Sequence, residues 1–504
     1  MFKNYIKVAI RNLKNSKLYS FINITGLSVG IACCMLIFLY IKYEMSYDRY
    51  NKNAGQIYRL TEILHLPKED NARAVTAPPM APLLQASLPE IRKTVRINFS
   101  QRVLSYKESK LYDAKVIYAD STLFDIFTFP MLKGNPQTAL VNPYSIVLTE
   151  STAKKYFGSL PALGRNMKLS DTINLTVTGI LKDIPLNSHI NFDAVLSRTT
   201  LFELSNHQSE AENWYNNNYY TYLLLPENYP YRELEPKINT IIDKAMQVSK
   251  KESGLSYNLK LQPVTDIHLR SNLHSEINPN SDISYIYIFT VAAILILLVA
   301  CSNFINLSTA RSVNRSKEIG MRKVVGAARS QLIIQFFGES FLFTLIAAVL
   351  TIVLVALVLP SFSSFTGRPL FMSNLADPLS IFIYLGIVIS VGFLAGIYPA
   401  LQLSSFGPIK ALKGNIRHEW QDIFLRKGLV IFQFTIAIIL IAGTSLVFQQ
   451  LRFIQNQKLG LNKDQVLEVE LKNRDIPRSE TLVKELQNVP AVIHASSTDF
   501  SFKK

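Results

Sequence analysis

The chain has 504 residues, a formal net charge of +16 and a 48% apolar share that would suit a soluble protein were it evenly spread. Five stretches of roughly 20 residues (21–41, 283–305, 341–359, 381–403 and 429–448) hold no Asp, Glu, Lys or Arg, which excludes one compact soluble core. The cations are bunched as well, with net +5 in 1–20, +5 in 306–331 and +3 in 404–428 against 26 basic and 25 acidic groups in 44–282, so no basic stripe remains to follow nucleic-acid phosphates.

Residues 1–20 place Phe2, Ile6, Ala9, Ile10 and Leu13 on one helical face and Lys3, Lys7, Arg11 and Lys14 around the other. A basic amphipathic helix of this kind lies flat at the inner leaflet. Residues 21–41 follow as span 1, because a helix rising ~1.5 Å per residue needs about 20 residues to cross ~30 Å of hydrocarbon. The run is too long for a signal-peptide core and has no small-residue cleavage site, so it reads as an uncleaved anchor.

Residues 44–282 read as a mixed α/β domain. Strands are expected over 56–63, 115–119, 174–181 and 259–263, and helices over 82–92, 151–157 (closed by Gly158) and 233–247. The 213–225 stretch is rich in aromatic residues and asparagine, among them Trp214, Tyr215 and Tyr219; this is the composition of a strand face, and also one that suits sugars or peptides. Cys33, Cys34 and Cys301 all fall in the apolar stretches, so the domain holds no disulfide. At roughly 240 residues it buries enough core without one.

Residues 283–403 carry spans 2 to 4 (283–305, 341–359 and 381–403), 404–428 form a linker, and 429–448 form span 5. The basic excess flanks the spans as the positive-inside rule requires. It puts the N-terminus and the 2–3 and 4–5 loops in the cytoplasm, and 44–282, 360–380 and the C-terminal tail outside. Basic stretch, span, polar stalk and strand occur in that order at 11–63 and again at 424–471, with the second strand expected over 465–471. Residues 449–504 thus read as the start of a second external domain, incomplete at this length, and the chain as the front part of a two-module protein.

The sequence holds no phosphate loop of the G-x-x-x-x-G-K-[ST] type, no H-E-x-x-H, no C-x-x-C and no G-x-S-x-G, and its seven histidines are scattered outside metal-ligand spacing. Neither a catalytic constellation nor a metal site is expected. Glu44 and Asp282 flank spans on the outer side, where water would solvate them, and Glu339 is expected at the inner interface within reach of water. No ion relay is legible, so energy for transport has to come from a partner.

The segment 311–340 contains Lys317-Glu318-Ile319-Gly320, Arg322-Lys323, Val325-Gly326-Ala327, Gln335-Phe336 and Glu339-Ser340. With Gly396-Ile397-Tyr398-Pro399-Ala400 closing span 4, it resembles the cytoplasmic loop of the FtsX/MacB family of ABC-transporter permeases. Residues 119–129, 145–157 and 177–193 resemble that family's MacB-type periplasmic core domain. The resemblance implies an α-helical integral membrane protein of a bacterial inner membrane, with a large mixed α/β extracytoplasmic domain between spans 1 and 2. It implies a separate cytoplasmic ABC ATPase that binds the ATP, leaving no cofactor on this chain, and a homodimer or paired permease. A membrane-fusion adaptor and an outer-membrane channel are further implied partners beside membrane lipid, and the implied cargo is amphiphilic: peptides, lipoproteins or macrolide-like compounds.

Docking of the ATPase is expected on Lys317, Glu318, Ile319, Gly320, Arg322, Lys323, Val325, Gly326 and Ala327. Glycines there allow a tight turn and close approach, Ile319, Val324 and Val325 are expected as an apolar knob, and Arg322 and Lys323 as partners of acids on the ATPase. Competing readings are a membrane-anchored sensor, which lacks a cytoplasmic output domain, and a tethered external enzyme, which lacks a catalytic constellation.

Overall fold

Every charge-free stretch lies within one long helix, and five helices are long and apolar enough to cross a membrane. The computed structural model describes residues 11, 16–65, 70–100, 103–107, 109–111, 114–170, 172–204, 213–246, 256–405, 420–456, 466–467, 469 and 479–498. Most of the expected amphipathic helix over 1–20, and residues 406–419 of the linker, fall outside them. Residues 1–430 form one compact unit and 431–504 a second.

Helix α1 (Lys17–Glu44) leads into the α/β domain. Its strands are β1 (Ile57–His65), β2 (Asp70–Arg73), β3 (Lys93–Ser100), β4 (Leu104–Tyr106), β5 (Ser109–Leu111), β6 (Val116–Ala119) and β7 (Met131–Gly134). They continue with β8 (Ser145–Thr149), β9 (Asn166–Leu169), β10 (Ile173–Leu181), β11 (Ala194–Ser197), β12 (Tyr220–Leu224) and β13 (Ser256–Pro263). These join in one sheet of order β13-β1-β12-β3-β6-β11-β8-β10-β9-β4-β5, with β2 on β1 and β7 on β10. The pairs β8–β10 and β6–β11 are parallel.

The central strands are covered on both faces, and side chains alternate between two cores. Ile117, Val147 and Val195 join Ile57, Val95 and Ile97 on one side. Val116, Tyr118, Ile146, Leu148, Ala194 and Leu196 join the other. Such strands read as continuous apolar runs, because neither face meets water.

Among the helices that pack on the sheet are α2 (Met80–Ser87), α3 (Glu150–Phe157) and α4 (Leu234–Ala245). Helix α3 ends at Gly158, whose φ of +59° only glycine adopts freely. Helix α2 is shorter than the expected 82–92. Pro89 disfavours a helical residue before it, and Leu88 is extended (φ −125°, ψ 106°). Of the aromatic 213–225 stretch, only its second half forms a strand, β12.

The chain returns through α5 (Ile283–Ala310), α6 (Ser312–Val324), α7 (Arg329–Thr366) and α8 (Pro378–Ser405). Helices α1, α5, α7 and α8 share one core that includes Leu27, Ile31, Phe304, Phe343 and Val391. Small residues set the approach, as expected where lipid gives helices no hydrophobic reason to associate. A Cβ on Gly30 would lie 2.7 Å from Ala300 Cβ, and one on Gly392 2.8 Å from the Phe341 ring. Helix α9 (Trp420–Asn456) holds the fifth span, and α10 (Ser479–Gln487) follows in the second unit. The strand expected over 465–471 lies largely outside the described residues; Val466, Leu467 and Val469 are not in a strand.

Candidate functional site

Two constructions sit at opposite ends of the four-helix core, one where α5 turns into α7 and one where α1 meets the domain.

At the first, Arg311 keeps helical dihedrals, so α6 follows α5 almost without a break. The turn after α6 is closed by Val325 N–H donating to Met321 O (3.1 Å), Gly326 N–H to Lys323 O (3.1 Å) and Ala327 N–H to Arg322 O (3.0 Å). Gly326 has φ +97°, which makes glycine the residue the turn requires. Nothing lies within 4 Å of where its Cβ would be, so conformation and not space sets the demand.

The expected docking residues divide into two sets. Ile319 is 2% exposed and packs with Leu332, Phe336, Ala400 and Leu403, and Gly320 beside it is buried too. Ile319 is therefore an anchor between α6, α7 and α8 and no part of an exposed knob. Arg322 donates to Glu318 Oε1 one helical turn away (2.7 Å) and to Gln335 Oε1 on α7 (2.5 Å). Lys323 Nζ donates to Ser404 O on α8 (2.7 Å), and burial, then the nearby Arg329 charge, pushes its ammonium below the usual lysine range. These cations brace α6 inside the chain. Val325, 83% exposed, and Val324 do face out. Met321, absent from the expected set, is exposed beside them. The spacing 321, 324, 325 marks one helical face and was there to be read. Lys317 lies on α6 and Ala327 in the turn after it.

At the other end, Glu44 closes α1 and is 0% exposed, where solvation had been expected. His268 Nε2–H donates to its Oε2 (2.7 Å), and Arg368 Nε lies 2.7 Å from its Oε1. Arg368 follows Gly367, which ends α7 at φ +64°, and also donates to Tyr47 Oη (3.0 Å). Tyr47 stacks on the His268 ring at 3.4 Å between centroids. One carboxylate thus joins α1, the segment after β13 and the connection between α7 and α8. Beside it Lys42 pairs with Asp377 and donates to Ser380 Oγ (2.8 Å). The hydrogen bond from Lys42, then that from Ser380, holds the Asp377 carboxyl down at about 2. Asp282 is exposed, as expected, and caps α5 by accepting from Ser284 N–H (2.7 Å).

Both passages between domain and helices are fastened to the domain. Asp48, at φ 59°, lies 2.8 Å from His189 Nδ1, whose Nε2 is 2.8 Å from Tyr222 Oη. On the return passage Glu276 is gripped bidentately by Arg59 on β1 (2.6 and 2.8 Å), and Asn278 donates to His189 O (2.8 Å). Burial pushes the Glu276 carboxyl up, but the hydrogen bonds and charge of Arg59 override it and keep it below the usual range.

Glu339 on α7 is buried and lines a small pocket with Tyr19, Phe304, Ser308, Phe336 and Pro399. Among the described residues no cluster of His, Cys, Asp and Glu is arranged to hold a metal ion.

A family model for the MacB-like periplasmic core domain matches residues 20–240, and one for the FtsX-like permease C-terminal matches 290–408. The macrolide export ATP-binding/permease protein MacB of Bdellovibrio bacteriovorus is 25% identical over 181 residues, 36% of this chain and 26% of that protein. The MacB of Campylobacter jejuni (strain 81-176) is 28% identical over 123 residues, 24% of this chain and 18% of that protein. The matches therefore span about a quarter or less of the length of those relatives. The solved periplasmic region of MacB from Actinobacillus actinomycetemcomitans superposes with a TM-score of 0.31 at 11% identity, covering 42% of this chain and 90% of that one. With its two matched segments in the order core domain then permease helices, the chain belongs to the FtsX/MacB family of ABC-transporter permeases.

Proposed function

We propose that the chain is the permease subunit that couples ATP hydrolysis by a separate cytoplasmic ATPase to movement of the α/β domain, and so drives export or extraction of amphiphilic cargo. Peptides, lipoproteins and macrolide-like compounds are the cargo class. In this reading the chain sits in a bacterial inner membrane, α6 faces the cytoplasm and the α/β domain the periplasm, with a second permease copy, a membrane-fusion adaptor and an outer-membrane channel as further partners.

The observation that carries the reading is the contrast within α6. Its inner face is anchored by Ile319 and by two hydrogen bonds, from Arg322 to α7 and from Lys323 to α8, while Met321, Val324 and Val325 stand in the open. An apolar patch on a braced helix is what a reversible protein contact uses. A push on α6 passes directly into α5 and, through the shared core, into α1. Both helices end in the fastened passages, so the domain receives the displacement without a channel for cargo between the helices. Glu318, Gly320, Arg322, Lys323, Gly326 and Ala327 keep α6 and its turn in shape, Lys317 lies on the same helix, and Val325 makes the contact.

The test is purification of the full chain from its native membranes, followed by assay for magnesium-dependent ATPase activity. Wild type carries such an activity with it, and Val325→Asp loses it while staying in the membrane. An ATPase retained by Val325→Asp, or absent from wild type, overturns the reading. Because Glu318 and Arg322 pair with each other, reversing both charges would re-form the pair and test little.

A further inference from the structure

The turn 184–187 of the α/β domain puts an apolar side chain in an unusual position. Leu186 is 61% exposed, yet the residues on either side are fixed. Ile184 is buried in the domain core, Asn187 Nδ2 donates to Ser46 O (3.1 Å) and Ser46 Oγ (3.0 Å), and Asp48 N–H donates to Asn187 O (2.9 Å). Ser46 lies two residues beyond the end of α1.

That attachment sets a height above the membrane. The charge-free run of span 1 ends at Ile41. Five residues at ~1.5 Å each put Ser46 about 7 Å past the hydrocarbon edge. The headgroup layer is about 5–7 Å thick on each side, the difference between a ~30 Å core and a 40–45 Å bilayer. Ser46 and the Asn187 bonded to it therefore sit at the level of lipid headgroups, with Leu186 one residue away. Tyrosines flank the same boundary: Tyr40 and Tyr43 near the end of α1, and exposed Tyr285 and Tyr287 in the first two turns of α5.

Two further residues fit that layer. Met45 is 46% exposed beside Ser46. Arg49 is exposed, gives its Nε–H to Met45 O (2.8 Å) and has no ion pair among the described residues. Exposed apolar side chains beside a guanidinium that has no ion pair among the described residues, at headgroup depth, are the pattern of a segment that lies in a membrane interface.

We infer that the 184–187 turn is a foot on which the α/β domain rests in the domain-side leaflet, with Leu186 and Met45 among phospholipid headgroups and Arg49 facing their phosphates. The domain then has three supports, its two chain passages and this foot, and the foot is where it would pivot. It stands there whether or not an ATPase docks at the far end.

The experiment is Leu186→Trp in the full chain, reconstituted in nanodiscs of phosphatidylcholine and phosphatidylglycerol, read as difference fluorescence against wild type, which holds Trp214 and Trp420. The added emission is expected to be blue-shifted, quenched by lipids carrying a nitroxide at the headgroup or the top of the acyl chain, and shielded from aqueous iodide. Quenching by iodide and not by the lipids would mean that the turn stands in water. Shielding from both would mean that protein covers it. Either result overturns the inference. Met45→Trp supplies a second, independent position with the same expected pattern.

Discussion

The two ends of the four-helix core are built from opposite materials. At the domain end a buried carboxylate, two cations, a histidine and a tyrosine lock three separated segments together. At the loop end an apolar anchor holds a short helix whose outer face is left bare. Buried polar groups fix geometry because each partner is costly to leave alone, whereas an exposed apolar face is made to be covered and uncovered. The first suits transmission of a displacement and the second its reception.

That contrast can be broken most directly at Glu44. Glu44→Ala would leave His268 buried without its acceptor and Arg368 half-buried without its charge partner, and should cost about 3 kcal/mol in thermal unfolding of the full chain in detergent. A loss below about 1 kcal/mol would show the junction to be ordinary surface. At the other end Ile319→Ala should cost about 2 kcal/mol by the same assay, the low end for emptying a buried aliphatic site, because the cluster is small. Gly326→Ala should cost about 1 kcal/mol, the strain of a non-glycine residue at a left-handed position. Because that strain falls on the turn, protease accessibility at 325–328 should rise before the helices melt.

The pH dependence sharpens the same contrast. The folded-state value of Asp377, about 2, lies below its usual 3.8, so its contribution is fully present above that value and is lost as pH falls towards 2. Asp377→Asn should flatten that part of an acid-unfolding curve, and substitutions in the α6 turn should not. The smallest stability change is expected for Val325→Asp, within about 0.5 kcal/mol of wild type because the side chain is in solvent, even though it should remove partner binding.

Much of the architecture was open to reading along the chain. Uncharged runs of 20 residues have few other uses, and the strands at 116–119 and 174–181 are flanked by clear turn signals. Pairings were the hidden part. Glu44 meets His268 from 224 residues away, and a carboxylate next to a span looks the same in one dimension whether water or an arginine solvates it. The motif marks the loop between the second and third spans, but not which way its residues face. Ile319 and Val325 look alike as letters, and only the packing of α7 and α8 decides that the first is inside. Nor do the letters show that Arg322 and Lys323 reach Gln335 and Ser404, which lie on other helices.

The contact of Gly30 with Ala300 has a mechanical meaning. Since even a methyl group cannot enter there, the two tethers of the α/β domain run side by side like paired rails, with no slack for one to slip outward from the other. A bulkier residue at position 30 would prise them apart, and the same push from below would then reach the domain as two unequal strokes, twisting it where it should tilt.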